Sequence, residues 1–217
     1  MNKKQVDFII DELWGLYPDA DCTLDDKNHA WQLLIAGILA SQCTDARVNT
    51  ITPHLFAKYP TIEAMSKAPI DDLENIIRSC GFFRAKASYI NGSMNRILEV
   101  YDGKVPETME ELITLPGVGR KIANLLLGDA FGVQAIVVDT HCARVSKHLG
   151  FTKSTNPQII ERDLMKWIPK DYWIGYGHRM VAHGRALCVA RRPRCGECSL
   201  ASHCVTGRKY LKENASK

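Results

Sequence analysis

No apolar run in this chain of 217 residues approaches the roughly 20 that a bilayer-spanning helix requires; the longest, Leu33 to Ala40, covers eight. That shortage argues against an integral membrane protein of the helical kind. A secretory leader fits poorly too, because the basic start, Met1 to Lys4, is followed by Asp7 and Asp11 where an apolar stretch would have to stand. We therefore expect a cytoplasmic protein without a membrane partner. Strand-like alternation is scarce, and neither a repeat of fixed period nor a low-complexity tract occurs. What is present, 46% hydrophobic and 24% charged residues, excludes a disordered chain except at the tail.

Net charge is modest at +4, but it is unevenly placed. From His178 onward nine Lys or Arg stand against Glu197 and Glu213, a local net of +7 that leaves the preceding residues at −3. A basic patch of this kind is the usual footprint of phosphate-backbone binding, while a lone basic tail can also be a solvated end. The eight cysteines are uneven in the same way. Cys22, Cys43, Cys80 and Cys142 are isolated and read as small buried hydrophobes. Cys188, Cys195, Cys198 and Cys204 form a C-x6-C-x2-C-x5-C group, which without a secretory signal points to metal ligation and not to disulfides. Four thiolates suit tetrahedral zinc or a [4Fe-4S] cluster; a single C-x2-C pair with wider outer gaps favours the cluster. The loop between the first two cysteines carries Arg191, Arg192 and Arg194, either a basic finger for phosphates or a solvated turn.

Helical periodicity dominates, so an all-α protein is expected. The pattern predicts helices over Asp7–Tyr17, His29–Ala40, Ile70–Cys80, Ala85–Val100, Pro106–Thr114, Gly119–Ala130, Thr140–Leu149 and Trp173–Cys188, with His29–Ala40 apolar almost all round and hence central. Ala135–Val138 is rich in β-branched residues and resembles a short strand, but Asp139 behind it is a good N-cap for the next helix.

The segment LPGVGRKIANLLLGDAFGVQAIVVDTHCAR, Leu115 to Arg144, carries the chemistry. Pro116, Gly117 and Gly119 interrupt two helical patterns, and glycines there allow main-chain N–H groups to approach a ligand. The positive end of the following helix faces that turn, so an anion such as a DNA phosphate can be held without a charged side chain. Lys121 opens the helix and Asp139 follows eighteen positions later. An amine nucleophile must be uncharged, a state that a helix's positive end and partial desolvation both favour.

Taken together, LPGVGRKIAN, VDTHCARV and the cysteine spacing, with ASQCTDARVN around Gln42 and GFFRAKA from Gly81, resemble the endonuclease III family of base-excision DNA glycosylases in the helix-hairpin-helix superfamily. The resemblance spans most of the chain. It implies two helical lobes with a DNA-binding groove between them, residues 22 to 132 forming one and residues 1 to 21 with 133 to 217 the other. It implies duplex DNA containing oxidised pyrimidines or abasic sites as partner, a [4Fe-4S] cluster as cofactor, a monomer, and, in a bacterium, nucleoid association. By the same resemblance Lys121 is the nucleophile that forms a Schiff base with the sugar, and Asp139 stabilises charge and moves protons. Gln42 matches the residue that fills the space left by a flipped nucleotide, its alternative being a polar turn residue. Phe82 stands where the family often has a leucine wedge, or is an ordinary apolar contact. Gly117 and Gly119 grip phosphate, and Thr44, Asp45 and His141 are candidates for the pocket lining. An adenine glycosylase of the same superfamily shares the cluster and the aspartate but usually lacks the lysine.

Overall fold

The computed structural model describes residues 1–26 and 29–215, and no strand occurs among them. The helices run α1 (Lys3–Leu16), α2 (Ala30–Leu39), α3 (Asp45–Lys58), α4 (Ile62–Ser66), α5 (Ile70–Ile77) and α6 (Phe83–Val100). After these come α7 (Met109–Leu112), α8 (Arg120–Leu125), α9 (Thr140–Leu149), α10 (Pro157–Trp167), α11 (Trp173–Ala186) and α12 (Val205–Asn214). The chain divides into two compact units, Cys22–Val133 and Met1–Asp21 with Gln134–Lys217.

In the Cys22–Val133 unit, α2 buries every residue from Leu33 to Leu39. A helix apolar on all sides must be enclosed, and α3, α6 and α8 surround it. Gly37 permits a close approach of α8, since a Cβ there would lie 3.2 Å from Ile122 Cγ2. The long α6 turns Ala87, Ile90, Met94 and Ile97 inward at helical spacing. Its Ser93 hydroxyl donates to Pro116 O at 2.7 Å, and Arg96 Nε donates to Thr114 Oγ1 at 3.1 Å. The chain entering the glycine-rich turn is thus fastened to α6 at two points.

In the other unit α1 starts earlier than the periodicity predicts. Asn2 and Gln5 form a reciprocal capping box that satisfies two orphan amides. Its inward face, Val6, Ile9, Ile10 and Leu13, packs with Val145, Leu149, Leu164, Tyr176 and Met180; full burial of each such aliphatic contributes about 1.5–3 kcal/mol. Arg179 seats α1 on α11: its guanidinium lies 4.0 Å from the Trp14 ring centroid, and Nη2 donates to Pro18 O at 3.1 Å.

Three sequence expectations need correction. The helix expected from Pro106 is confined to α7, because Thr108 caps it by accepting from Glu111 N at 3.3 Å, which delays the start. The helix expected over Gly119–Ala130 changes to a π-helical turn at Leu126–Ala130. Ile70–Cys80 tightens into a 3-10 turn over Arg78–Cys80 ahead of Gly81, whose φ of 58° ends it.

Candidate active site and cluster loop

The turn before α8 depends on Gly117. Its φ is 77°, and a Cβ on it would lie 2.7 Å from Tyr89 Cβ on α6. Left-handed backbone and close packing therefore demand glycine together. Gly117→Ala should lower stability by roughly 2–3 kcal/mol and the melting midpoint by about 5–10 °C, as calorimetry would show; an unchanged midpoint would mean that Tyr89 yields freely. Gly119 answers to a different constraint. Its φ is −97°, no atom lies within 4 Å of the Cβ it lacks, and it is the N-cap of α8 without a side-chain cap. Nothing among the described residues requires a glycine there, and the bare first-turn amides of a helix are of the kind that can hold an anion.

Lys121 is the second residue of α8 and is exposed. That exposure stands against the partial desolvation expected of its amine. Asp139 caps α9, with Oδ1 accepting from Cys142 N at 2.7 Å. His141, the second residue of α9, is held against α11: a Cβ on Gly184 would lie 2.8 Å from its Nδ1, which is 3.1 Å from Arg144 Nη2. Burial pushes its pKa below the ordinary histidine value, against the opposing effect of Asp139. His141 is thereby a packed residue of its own unit.

Gln42 and Phe82 share a feature that sequence does not reveal. Both have left-handed backbone, at φ 53° and 47°, and both are exposed, Phe82 to 67%. Left-handed conformations in non-glycine residues concentrate at functional positions, and an exposed aromatic ring held in one gains nothing from burial. Thr44 and Asp45, in contrast, are engaged locally. Thr44 caps α3 by accepting from Arg47 N at 3.3 Å, and Asp45 Oδ2 accepts from Thr23 Oγ1 at 2.6 Å.

Cys188, Cys195, Cys198 and Cys204 line one pocket, with Val145 and Leu200 among its apolar walls. Burial pushes the Cys188 thiol up to about 11, and the neighbouring Cys204, Cys198 and Cys195 add to the rise. Thiols that raise one another's pKa are close, and four become thiolates together only where a metal centre supplies positive charge. The donor set therefore fits an iron–sulfur cluster. Residues that sequence reading missed support it. Arg144 Nε and Nη2 both donate to Cys188 O, at 3.1 and 3.0 Å, and Nη2 donates to Gly184 O at 3.0 Å, so one guanidinium caps α11 and holds the first cysteine. His148 Nδ1 lies 3.2 Å from Cys188 Sγ. Only the position of Arg144 one turn beyond Asp139's cap could have suggested this. Of the loop arginines, Arg191 and Arg192 are exposed, but Arg194 is bound at both Nε and Nη2 by the Glu197 carboxylate. Glu197 thus engages one of the three proposed phosphate contacts.

Residues 35–170 match the HhH-GPD superfamily of base excision DNA repair proteins, and residues 188–204 match the iron-sulfur binding domain of endonuclease III. The chain is 52% identical over 190 residues to endonuclease III of Synechocystis sp., covering 87% of this chain and 86% of that one. It is 42% identical to endonuclease III of Bacillus subtilis over 218 residues, 100% of this chain and 99% of the other. Among solved structures, a trapped endonuclease III–DNA covalent intermediate in an estranged-adenine complex superimposes with a TM-score of 0.92 at 43% identity, covering 97% of this chain and 99% of that one.

Proposed function

We propose, since the chain belongs to the endonuclease III family of HhH-GPD base excision DNA repair proteins, that it removes oxidised pyrimidines from duplex DNA and cleaves the resulting abasic site. One observation carries the assignment of the site: an exposed lysine begins α8 directly behind an uncapped Gly119 and the tightly constrained Gly117. Lys121 sits where a phosphate gripped by that turn would place the adjoining sugar.

The lone pair of Lys121 Nζ attacks the sugar C1′. The new C–N bond forms as the glycosidic bond breaks, and its electron pair leaves with the base, which takes a proton. Ring opening gives the imine, whose electron demand acidifies the C2′ hydrogen. Loss of that proton expels the 3′ phosphate and nicks the strand. Asp139 stabilises positive charge on the sugar and moves protons through Oδ2, while Oδ1 holds the cap. Extrusion of the base is required because C1′ is inaccessible inside the stack; Gln42 fills the vacated space and Phe82 wedges between the adjoining bases. Cys188, Cys195, Cys198 and Cys204 would hold the [4Fe-4S] cluster, whose iron–thiolate bonds would fold the loop; Arg191 and Arg192 present the loop's charge to phosphate.

Borohydride trapping on duplex DNA containing thymine glycol tests the activity: a covalent adduct is expected, and none at any pH would overturn the lyase assignment. Asp139→Asn separates capping from chemistry. Asparagine caps as well as aspartate, so the melting midpoint should barely move, whereas single-turnover excision should fall by roughly 10²–10⁴. A large loss of stability with normal chemistry would reduce Asp139 to a cap. Among the described residues no helix is long and apolar enough to cross a membrane. Action in the bacterial cytoplasm, on nucleoid DNA, accords with the substrate.

A further inference from the structure

Lys86 is a lysine only 3% exposed, on the inward side of α6. Its Nζ donates to Leu39 O at 2.9 Å and to Cys80 O at 2.5 Å. Leu39 is the last residue of α2, and Cys80 the last of the 3-10 turn over Arg78–Cys80. Carbonyls at helix ends lack partners within the helix and carry its negative pole, so one ammonium satisfies two such ends. Burial lowers the lysine's pKa from its ordinary value, the expected cost of withdrawing an ammonium from water. A leucine or methionine would fill the space without that cost, which raises the question of what the charge accomplishes.

The two carbonyls answer it. Three residues beyond Leu39 stands Gln42, and two beyond Cys80 stands Phe82. These are two of the three described non-glycine residues with positive φ, the third being Asp102 in the turn before Gly103. Each turn is short and internally bonded: Cys43 N donates to Ala40 O at 3.2 Å, and Lys86 N donates to Phe82 O at 3.1 Å. Strained backbone persists only where its surroundings over-determine it. Here the residue that fixes both roots is the same one.

We infer that Lys86 is a positioning residue, its buried ammonium joining the Gln42 turn and the Phe82 turn into one rigid two-pronged probe that enters the DNA stack as a unit. The inference rests on the reading of Gln42 and Phe82 as the residues that enter the duplex. A double probe is useful only if its prongs keep their separation, because the orphaned base and the adjoining step must be met at the same moment. Two independently mobile turns would each lose ordering entropy on binding.

The test compares wild type with Lys86→Met, which keeps the stem and removes the charge. In the free protein, amide hydrogen exchange should rise at residues 40–43 and 80–83 and stay unchanged in α8. Excision of thymine glycol from duplex DNA should fall at least about tenfold, a loss typical of a small misplacement of positioned groups. Trapping on a single-stranded abasic oligonucleotide, which has no stack to enter, should change less than about threefold by the same reasoning. Equal losses on both substrates would reduce Lys86 to general structural support and overturn the inference. In a Gln42→Ala, Phe82→Ala background, Lys86→Met should cost almost nothing further on duplex; an additive loss would also overturn it. Should that background itself excise like wild type, the reading of the two residues as DNA probes fails, and the exchange experiment still decides whether Lys86 holds the turns. If Lys86→Met does not fold, Lys86→Gln, whose amide retains donors, should show the same duplex-to-single-strand disparity at smaller size, and an unchanged ratio would overturn the inference.

Discussion

Lys121→Gln is expected to eliminate the borohydride adduct and to leave the fold intact. Glutamine keeps an unbranched stem and nearly the same helix propensity, and the residue is exposed, so neither packing nor capping changes. What disappears is the nitrogen lone pair. Loss of a nucleophile that acts with a supporting carboxylate is expected to lower single-turnover excision and strand cleavage by roughly three orders of magnitude or more, about 4 kcal/mol of transition-state stabilisation. Duplex affinity should weaken only by one phosphate-range charge, reducing the salt slope by about one unit. This disparity between chemistry and binding is the informative result. Trapping at the wild-type level in Lys121→Gln would place the reacting amine elsewhere in the chain, and loss of binding with loss of chemistry would make Lys121 a DNA contact.

The parts of this site that were legible in sequence are those whose physics is local. The cap at Asp139 involves an amide three residues away, and His29–Ala40 could only be an enclosed helix because no polar face exists. The glycine punctuation around Gly117 was equally plain, although its second cause, the Tyr89 ring, lies on a different helix. Long-range bonds were illegible. Lys86 sits in the FRAKAS segment beside Arg84 and Ser88, where any reading by composition gives it a solvated face; the carbonyls that hold it are 47 and 6 residues away. Arg144 looked like another basic residue of α9, yet its partner is the carbonyl 44 residues on that starts the cluster loop. α3 contains Pro53, which reads as a breaker, and α12 follows the last cysteine within a stretch whose charge reads as tail. The left-handed backbone at Gln42 and Phe82 is imposed by the bonds on either side of them, and neither residue type announces it.

Cys198→Ser is the second large effect, and it acts on the whole C-terminal segment. Serine offers a hard oxygen where the pocket requires a soft thiolate, so purified protein should lose the brown colour and broad visible absorption of an iron–sulfur cluster. The consequences spread because little else holds the loop. Between Cys188 and Cys204 the regular structure is a single 3-10 turn, Cys195–Glu197, and the helix beyond is tied back by close packing: a Cβ on Gly207 would lie 2.4 Å from Ala201 O. Without iron, burial keeps Cys188 a thiol, since its pKa stands at about 11, and the apolar walls have no charge to enclose. Exchange protection should therefore fall from Cys188 through α12, while α2 and α6 in the other unit keep theirs. Arg191 and Arg192 are exposed on that loop, and once it unfolds neither guanidinium is held toward phosphate, which should lower the salt slope of DNA binding by about two units and affinity by at least about tenfold. Arg194 would have to exchange its exposed pairing with Glu197 to add to that count. A colourless Cys198→Ser protein that binds duplex DNA with wild-type affinity and salt slope would show that the arginines reach phosphate without the cluster, and the basic loop would lose its assigned role.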